Sequence, residues 1–350
     1  MATVFFTGYP GFLGSELLPR ILARRDGATA LCIVQPKFAS LARERAAPFG
    51  DRVRIVEGDI TSPIHIDGLK DVTEVFHLAA IYDLAVKRDL GMRVNVDGTR
   101  HVLDFAAKQP YLERFHYMST CYVSGRYPGT FHETDLTLGQ TFNNHYEETK
   151  YLAEVEVQRR MRSGLPATIY RPSVVVGDSA TGVTQKFDGP YFVMQWILRQ
   201  PRVAFLPTTG GTKRYRFNVV PRDFIIHAID VLSAKGESRD KTYQLADPEP
   251  MTIDETIRTI AAATEHRIVR VPLTRFIAKS ALRYVPGMYR LMRIPAAAVD
   301  YFNHPTSYDT TNARADLAAS GVEVPRLRDY IANLVSFVRA HPEIGSSPMA

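Results

Sequence analysis

The sequence predicts an α/β protein: a doubly wound parallel sheet joined to a smaller, mostly helical C-terminal substrate domain. Three observations predict it. From Thr3 to Gly177, apolar runs of strand length alternate with segments of helical spacing, the pattern of right-handed βαβ units. The first strand enters a glycine-punctuated turn, Thr7-Gly8-Tyr9-Pro10-Gly11-Phe12-Leu13-Gly14, and a leucine-rich segment follows. Beyond Gly177 the alternation loosens and helical patterns dominate. The expected division is 1–177 for the sheet domain, 178–345 for a mainly substrate-binding region with segments returning to the sheet, and 346–350 for a tail.

The bulk properties narrow the class. A chain of 350 residues with 45% hydrophobic content can bury a sizeable core. It has no apolar run of about eighteen residues, and its start enters a strand without a basic leader, so a cytoplasmic protein without a transmembrane segment is expected. Cys32 and Cys121 give no disulfide framework. A net charge of +6, with acids spread throughout, does not argue for nucleic acid but favours anionic ligands.

Taken in order, Thr3–Phe6 reads as a strand and the segment after Gly14 as a helix. A helix N-terminus concentrates free N–H groups and positive potential, so a diphosphate can sit there if no side chain blocks it. Gly8 permits the turn, Gly11 a close approach of the diphosphate, and Gly14 the packing of helix on strand. The predicted cofactor contacts therefore run through Gly8, Tyr9, Pro10, Gly11, Phe12, Leu13 and Gly14.

Ala30–Val34 is a second strand, ending at Gln35-Pro36-Lys37. An acidic residue at this position binds a ribose 2′-hydroxyl, whereas a cation accommodates a 2′-phosphate. Gln35 and Lys37, with Arg43 or Arg45 behind, lean towards NADP(H) over NAD(H); Lys37 also reads as a solvated loop charge. Val53–Val56 is a third strand running to Asp59 and Ile60, where the carboxylate either accepts from an adenine amino group or caps a turn. Val75–Ala80 is a fourth, with Ala79 and Ala80 small enough for backbone to approach a flat cofactor. His77 within it reads as a packed core histidine, since no second ligand lies at metal spacing, and no metal is predicted.

Val94–Lys108 has helical periodicity with Asn95 near its start, a residue that invites a backbone or water contact. Arg114–Met118 is a fifth strand delivering Ser119, Thr120 and Cys121 to the ligand-binding edge. Cys121 lacks a neighbouring base and reads as a bystander thiol. The helix from Tyr146 to Met161 places Tyr146 and Lys150 on one face. A nearby cation stabilises a phenolate, which makes tyrosine a better proton relay near neutrality. Ala167–Arg171 is a sixth strand leading to Pro172 and Ser173. Helices are expected at Tyr191–Leu198, Asp223–Leu232, Thr252–Thr264 and Arg326–Ala340, and a short strand at Phe217–Val220. Asp223 reads as a cap or an interdomain hydrogen-bonding residue. Leu273–Ile294 mixes apolar and basic residues and reads as a packed helix, a lid over an apolar ligand, or a peripheral membrane contact.

The glycine turn, Asp59, His77-Leu78-Ala79-Ala80, Asn95, Ser119-Thr120, Tyr146 with Lys150, and Arg171-Pro172 occur in one order that resembles the extended short-chain dehydrogenase/reductase family, built on a Rossmann domain. Gly177-Asp178-Ser179-Ala180-Thr181-Gly182 and Phe217–Phe224 resemble its fatty acyl-CoA reductase and thioester reductase (male sterility-like) branch. The resemblance implies Thr120 as the hydroxyl on the substrate oxygen, Tyr146 as general acid or base, Lys150 on the nicotinamide ribose, and Asn95 as support. It also places Arg171, Pro172 and Ser173 among the cofactor contacts. It implies NADPH-dependent reduction of a hydrophobic acyl thioester, on coenzyme A or an acyl carrier protein, to aldehyde or alcohol. The chain shows no adenylation or carrier segment, so the thioester is expected to arrive on another protein. Two alternatives stay open: an NAD(P)H-dependent ketone or aldehyde reductase or hydroxysteroid-type dehydrogenase, and a dinucleotide-binding sensor without turnover. The oligomeric state, monomer or homodimer, also stays open.

Overall fold

The computed structural model describes residues 2–66, 69, 71–208, 210–274, 280, 300–301 and 303–345. Its frame is a seven-stranded, wholly parallel sheet. The strands are β1 (Thr3–Thr7), β2 (Thr29–Val34), β3 (Val53–Glu57), β4 (Val72–His77), β5 (Arg114–Met118), β7 (Ala167–Pro172) and β11 (Thr242–Leu245), with β6 (Gly129–Phe131) outside the sheet between β5 and β7. Their spatial order is β11-β7-β5-β4-β1-β2-β3. The chain winds outward from β1 through β2 and β3, then returns to β4 on the other side. The order reverses between β1 and β4, and ligands of open α/β sheets bind in the crevice beyond such a switch point.

Alternation along β1 explains the two cores. Val4 and Phe6 point to a layer containing Leu17 and Ile21 of α1 (Gly14–Ala23) and Ile225 and Ile229 of α7 (Arg222–Ala234). Phe5 points to the opposite layer, with Val102, Leu103 and Phe105 of α4 (Gly98–Ala106) and Val157 of α5 (His145–Arg162). Successive side chains of a strand face opposite sides, so a strand covered on both faces must be apolar throughout.

The remaining chain forms a third core from β8 (Val174–Val176), α6 (Tyr191–Leu198), β9 (Val203–Thr208), β10 (Val219–Pro221), α8 (Ile253–Thr264) and α10 (Leu327–Ala340). Thr252 and Glu255 cap α8 reciprocally. Three further parallel pairs, β8 with β10, β9 with β12 (Arg267–Pro272) and β6 with β13 (Thr306–Tyr308), lie outside the main sheet; β10 overlaps the short strand expected at Phe217–Val220, and the other strands were not anticipated. β6, β8 and β13 have only three residues each, too few to announce a period. β11 and α7 carry the chain back to the main sheet, and α9 (Thr311–Leu317) packs on both. Asp223 ties this return to the loop after β8, accepting from Ser179 N and Oγ at 2.7 and 2.6 Å.

β4 begins at Val72 and ends at His77, so Leu78, Ala79 and Ala80 lie beyond it rather than inside a strand. Leu273–Ile294 and the tail lie almost wholly outside the described residues. No helix among the described residues is long and apolar enough to cross a membrane.

Candidate active site

The turn between β1 and α1 sits at the switch point. Gly8 has φ +93°, and a Cβ there would stand 2.8 Å from the Leu78 carbonyl carbon. A Cβ on Gly14 would stand 2.5 Å from the Gly8 oxygen, so close packing of helix on turn requires its absence. Gly11 is held by the same oxygen, 2.8 Å from where its Cβ would be; the turn itself, before any ligand, demands this glycine. Gly8→Ala is expected to destabilise the fold by roughly 1–3 kcal/mol, read as a lower urea midpoint. The N-terminus of α1 has no side-chain cap; Ser15, Glu16 and Leu17 N–H are taken up by Gly11 O and Leu13 O, so the N–H groups left for an anion are those of Phe12 to Gly14 in the turn itself. This arrangement fits a dinucleotide diphosphate.

The strand ends beside the turn bring Gln35 and Asp59 together. Gln35 Nε2 donates to Asp59 Oδ2 at 2.8 Å, and Thr61 N donates to Oδ1 at 2.8 Å. Burial works to raise the Asp59 pKa, but these bonds and the Arg93 charge hold it below the ordinary value. Ile60 is buried and packs against Gly98. Lys37 is exposed on α2 (Pro36–Ala46), with Nζ over the Phe38 ring. Arg43 is paired with Glu57, whereas Arg45 donates to the Pro10 carbonyl at 2.9 Å and to Ser15 Oγ at 3.1 Å. Arg45 thus sits on the glycine turn.

His77 is a buried strut. Its Nδ1 meets Thr7 Oγ1 at 2.8 Å and its Nε2 meets Thr99 Oγ1 at 2.9 Å. Because Thr99 Oγ1 donates to Asn95 O, it accepts from Nε2–H, which leaves Nδ1 to accept from Thr7. Thr7 Oγ1 in turn accepts from Ala79 N at 3.1 Å and so fixes the loop after β4. Burial and the Lys150 charge bring the His77 pKa down to about 3, and the ring stays neutral. Asn95 Oδ1 accepts from Ile81 N at 2.9 Å, and Nδ2 donates to Thr149 Oγ1 at 3.0 Å, tying that loop to α5.

Thr120 and Tyr146 converge at the carboxyl end of β5. Thr120 follows the strand and caps a short turn, Cys121–Ser124. The Tyr146 phenol lies beside it. Burial pushes the phenol well above its ordinary pKa, the neighbouring Thr120 pulls it back in part, and Glu147 and Asp188 push it further up. Tyr146 is therefore a protonated hydroxyl in this structure. Lys150, one turn on, donates to Met118 O at 2.6 Å and to Tyr117 Oη at 3.0 Å. Burial lowers its pKa to about 7, with the Glu154 charge opposing. The lysine does not bring the tyrosine pKa down here, contrary to the expectation from their spacing; its charge is taken up by the strand end.

Arg171 is also corrected. Its guanidinium is fully buried and bonds Glu154 through Nε and Nη2, the latter at 2.6 Å, and donates to Asp135 O at 2.7 Å. It has no side-chain contact to offer a cofactor. Pro172 O accepts from Thr120 Oγ1 at 3.3 Å, so Pro172 orients the Thr120 hydroxyl, and Ser173 is buried beside it. Ser119 donates to Glu154, away from Tyr146. Cys121 is buried and donates to Arg171 O at 2.9 Å, and burial raises its pKa far from a reactive thiolate.

Sequence reasoning passed over Tyr82, Lys186, Asp188 and Glu147. The Tyr82 ring meets Tyr146 edge-on at 5.0 Å, and Lys186 Nζ lies 4.3 Å from the Tyr82 centroid and 3.2 Å from Asp188 Oδ2. Asp188 also helps to hold the Tyr82 phenol well above its ordinary pKa, after burial. Only the tyrosine beside the small-residue strand end carried a local signal. Among the described residues, no group of three or more His, Cys, Asp or Glu is placed to hold a metal ion.

The comparisons with known proteins complete this geometry. The model of the male sterility protein family, a dinucleotide-binding family, matches residues 6–229. The chain belongs to the male sterility protein family. As a member of that family it carries the glycine turn, Thr120, Tyr146 and Lys150 inside the matched span. It is 23% identical to the nonribosomal peptide synthetase asaC of Aspergillus flavus over 95% of its own length, but spans only 36% of that protein. The terminal R domain from the myxalamid PKS-NRPS pathway superposes with a TM-score of 0.80 at 24% identity, covering 98% of this chain and 92% of that one. A thiolation-reductase di-domain from an archaeal nonribosomal peptide synthetase has a TM-score of 0.73 at 17% identity, with 98% and 76% covered. These structures share the family member's fold.

Proposed function

We propose that this chain is a reductase that uses NADPH in preference to NADH and delivers hydride to the carbonyl of a hydrophobic acyl thioester, giving an aldehyde or alcohol. The observation that carries the reading is the Thr120–Tyr146 hydroxyl pair beside Lys150, at the sheet edge that also presents the glycine turn. A reduced nicotinamide, when bound, supplies the hydride. As negative charge grows on the carbonyl oxygen, Tyr146 and Thr120 donate hydrogen bonds to it, and Tyr146 gives up its proton. The raised phenol pKa suits that role, because reduction needs the acid form. Lys150 would hold the ribose hydroxyls, with Asn95 fixing the loop that backs them. Gln35, Asp59, Ile60, Ala79 and Ala80 would line the adenosine and nicotinamide crevice. Resemblance to carrier-linked reductases supports the thioester and a carrier as its donor.

The phosphate preference rests on Lys37 and Arg45, two cations beside a β2 end whose neighbouring carboxylates are already engaged, Asp59 by Gln35 and Glu57 by Arg43. Lys37→Ala is expected to weaken NADPH more than NADH in a fluorescence titration; equal losses would remove the preference.

The deciding experiment is NADPH oxidation with a long-chain acyl-CoA, the matching aldehyde and a hydrophobic ketone, with products identified by mass. Aldehyde or alcohol from the thioester is expected. Turnover of the aldehyde or ketone alone would move the chain to the carbonyl reductases, and cofactor binding without turnover would leave a sensor.

A further inference from the structure

A cavity of about 740 Å³ opens behind the turn that carries Thr120, within the range of small-molecule sites. Tyr122 is the wall shared by cavity and active site: its N–H donates to Thr120 Oγ1 at 3.3 Å while its side chain lines the cavity. The Tyr122 ring lies 4.7 Å from Tyr301 and 5.0 Å from His304, centre to centre.

His304 at this inner end is 5% exposed. Its Nε2 meets the Tyr308 hydroxyl at 2.8 Å, but Nδ1 is buried without a hydrogen-bond partner among the described residues. A buried polar atom left unpaired costs stability that a ligand can restore. The ring is neutral, since burial brings its pKa down to about 3. An amide satisfies either tautomer, because it offers both an N–H and a carbonyl.

The outer end is lined by Arg216, Arg258, Arg326 and Arg328, against the carboxylates Asp247, Glu249 and Glu255. Arg258 is paired with Asp254 at 2.9 Å and Arg326 with Glu249 at 3.8 Å. Glu255 is spent on Thr252 N and Oγ1, both at 2.7 Å, and Asp247 accepts from Glu249 N at 2.9 Å. Arg216 donates to Pro250 O at 2.6 Å. Among the described residues neither Arg216 nor Arg328 has a carboxylate within ion-pair distance; Arg216 acts on Asp247 and Glu255 only from further off, so both guanidiniums keep donors for an anion.

We infer that this cleft seats the phosphorylated, amide-linked arm of an acyl thioester, with His304 Nδ1 on an amide and Arg216 and Arg328 on the phosphate. The inference rests on the thioester reading above. The acyl end then passes Tyr122 towards Thr120 and Tyr146. Coenzyme A and the prosthetic arm of a carrier protein share this chemistry.

The test compares kcat/KM for the octanoyl thioesters of phosphopantetheine and of pantetheine, which lacks the phosphate, at saturating NADPH, with octanal as reference. The wild type is expected to prefer the phosphorylated arm by about tenfold or more. In the exposed-residue double variant Arg216→Ala/Arg328→Ala that ratio should fall to about one. His304→Phe should raise KM for both thioesters together and leave their ratio in place. Equal use of both arms by the wild type, or an undiminished ratio in the double variant, would overturn the assignment while the thioester reading stood. Reduction of octanal with no thioester reduced would overturn the thioester reading and the assignment with it. Octanoyl-CoA turned over as well as the phosphopantetheine thioester supports the site with a soluble donor; octanoyl on a carrier protein reduced far better supports it with a carrier donor.

Discussion

Tyr146→Phe is expected to lower kcat by about 10²–10⁴-fold, the usual contribution of a positioned proton donor, while NADPH affinity stays close to wild type. The phenol touches Thr120 and the Tyr82 ring, and its loss leaves the glycine turn and Lys150 in place. Single-turnover kinetics beside a cofactor titration separate the two effects. A variant near wild-type turnover would end the proton-donor assignment. Thr120→Val should cost less, since one of two hydroxyls would remain. The pH dependence carries its own sign. Lys150 is charged below its lowered pKa of about 7 and neutral above it, so kcat/KM for reduction should fall as pH rises through that value. Glu147 also titrates near 7, because burial outweighs its bonds to Asn143 and Tyr301. Glu147→Gln should retain the falling limb if Lys150 is its source; loss of the limb would transfer it to Glu147.

What the sequence made legible was local. The glycine turn lies within eight residues, Tyr146 and Lys150 within one helical turn, and Thr120 directly after a strand. In each case spacing alone brings the groups together. What stayed hidden depended on distant partners. Tyr82, Lys186 and Asp188 meet over Tyr146 from two loops about a hundred residues apart, which no period encodes. The expectation that Lys150 would act on Tyr146 followed from helical geometry, but the carbonyl of Met118 and the hydroxyl of Tyr117 compete for the ammonium and hold it. Glu154 had a signal that went unused. Tyr146, Lys150 and Glu154 fall at successive four-residue steps, so one buried face of α5 carries a phenol, an ammonium and a carboxylate. A carboxylate at such a position requires a partner, and the partner is Arg171.

That pair supports the second large prediction. Arg171→Leu is expected to destabilise the protein by about 3–5 kcal/mol, the cost of leaving one member of a buried ion pair alone. Both side chains are fully buried, and Glu154 also receives Ser119 Oγ and Gln158 Nε2. With the guanidinium gone, the carboxylate keeps only neutral donors at a fully buried position. The carbonyls of Asp135 and His132 lose their donor as well, which loosens the loop before α5 from β7. A double-mutant cycle with Glu154→Leu distinguishes a charge effect from lost packing. If the uncompensated anion dominates, the double variant should be more stable than Arg171→Leu alone, because it no longer buries a charge. If the double variant is the less stable, volume and loop anchoring dominate, and Arg171 serves chiefly as a strut between β7 and the loop before α5. Cofactor affinity measured on the folded fraction should change little in either case, since the Arg171 side chain lies behind Ser119 and Cys121 rather than in the crevice.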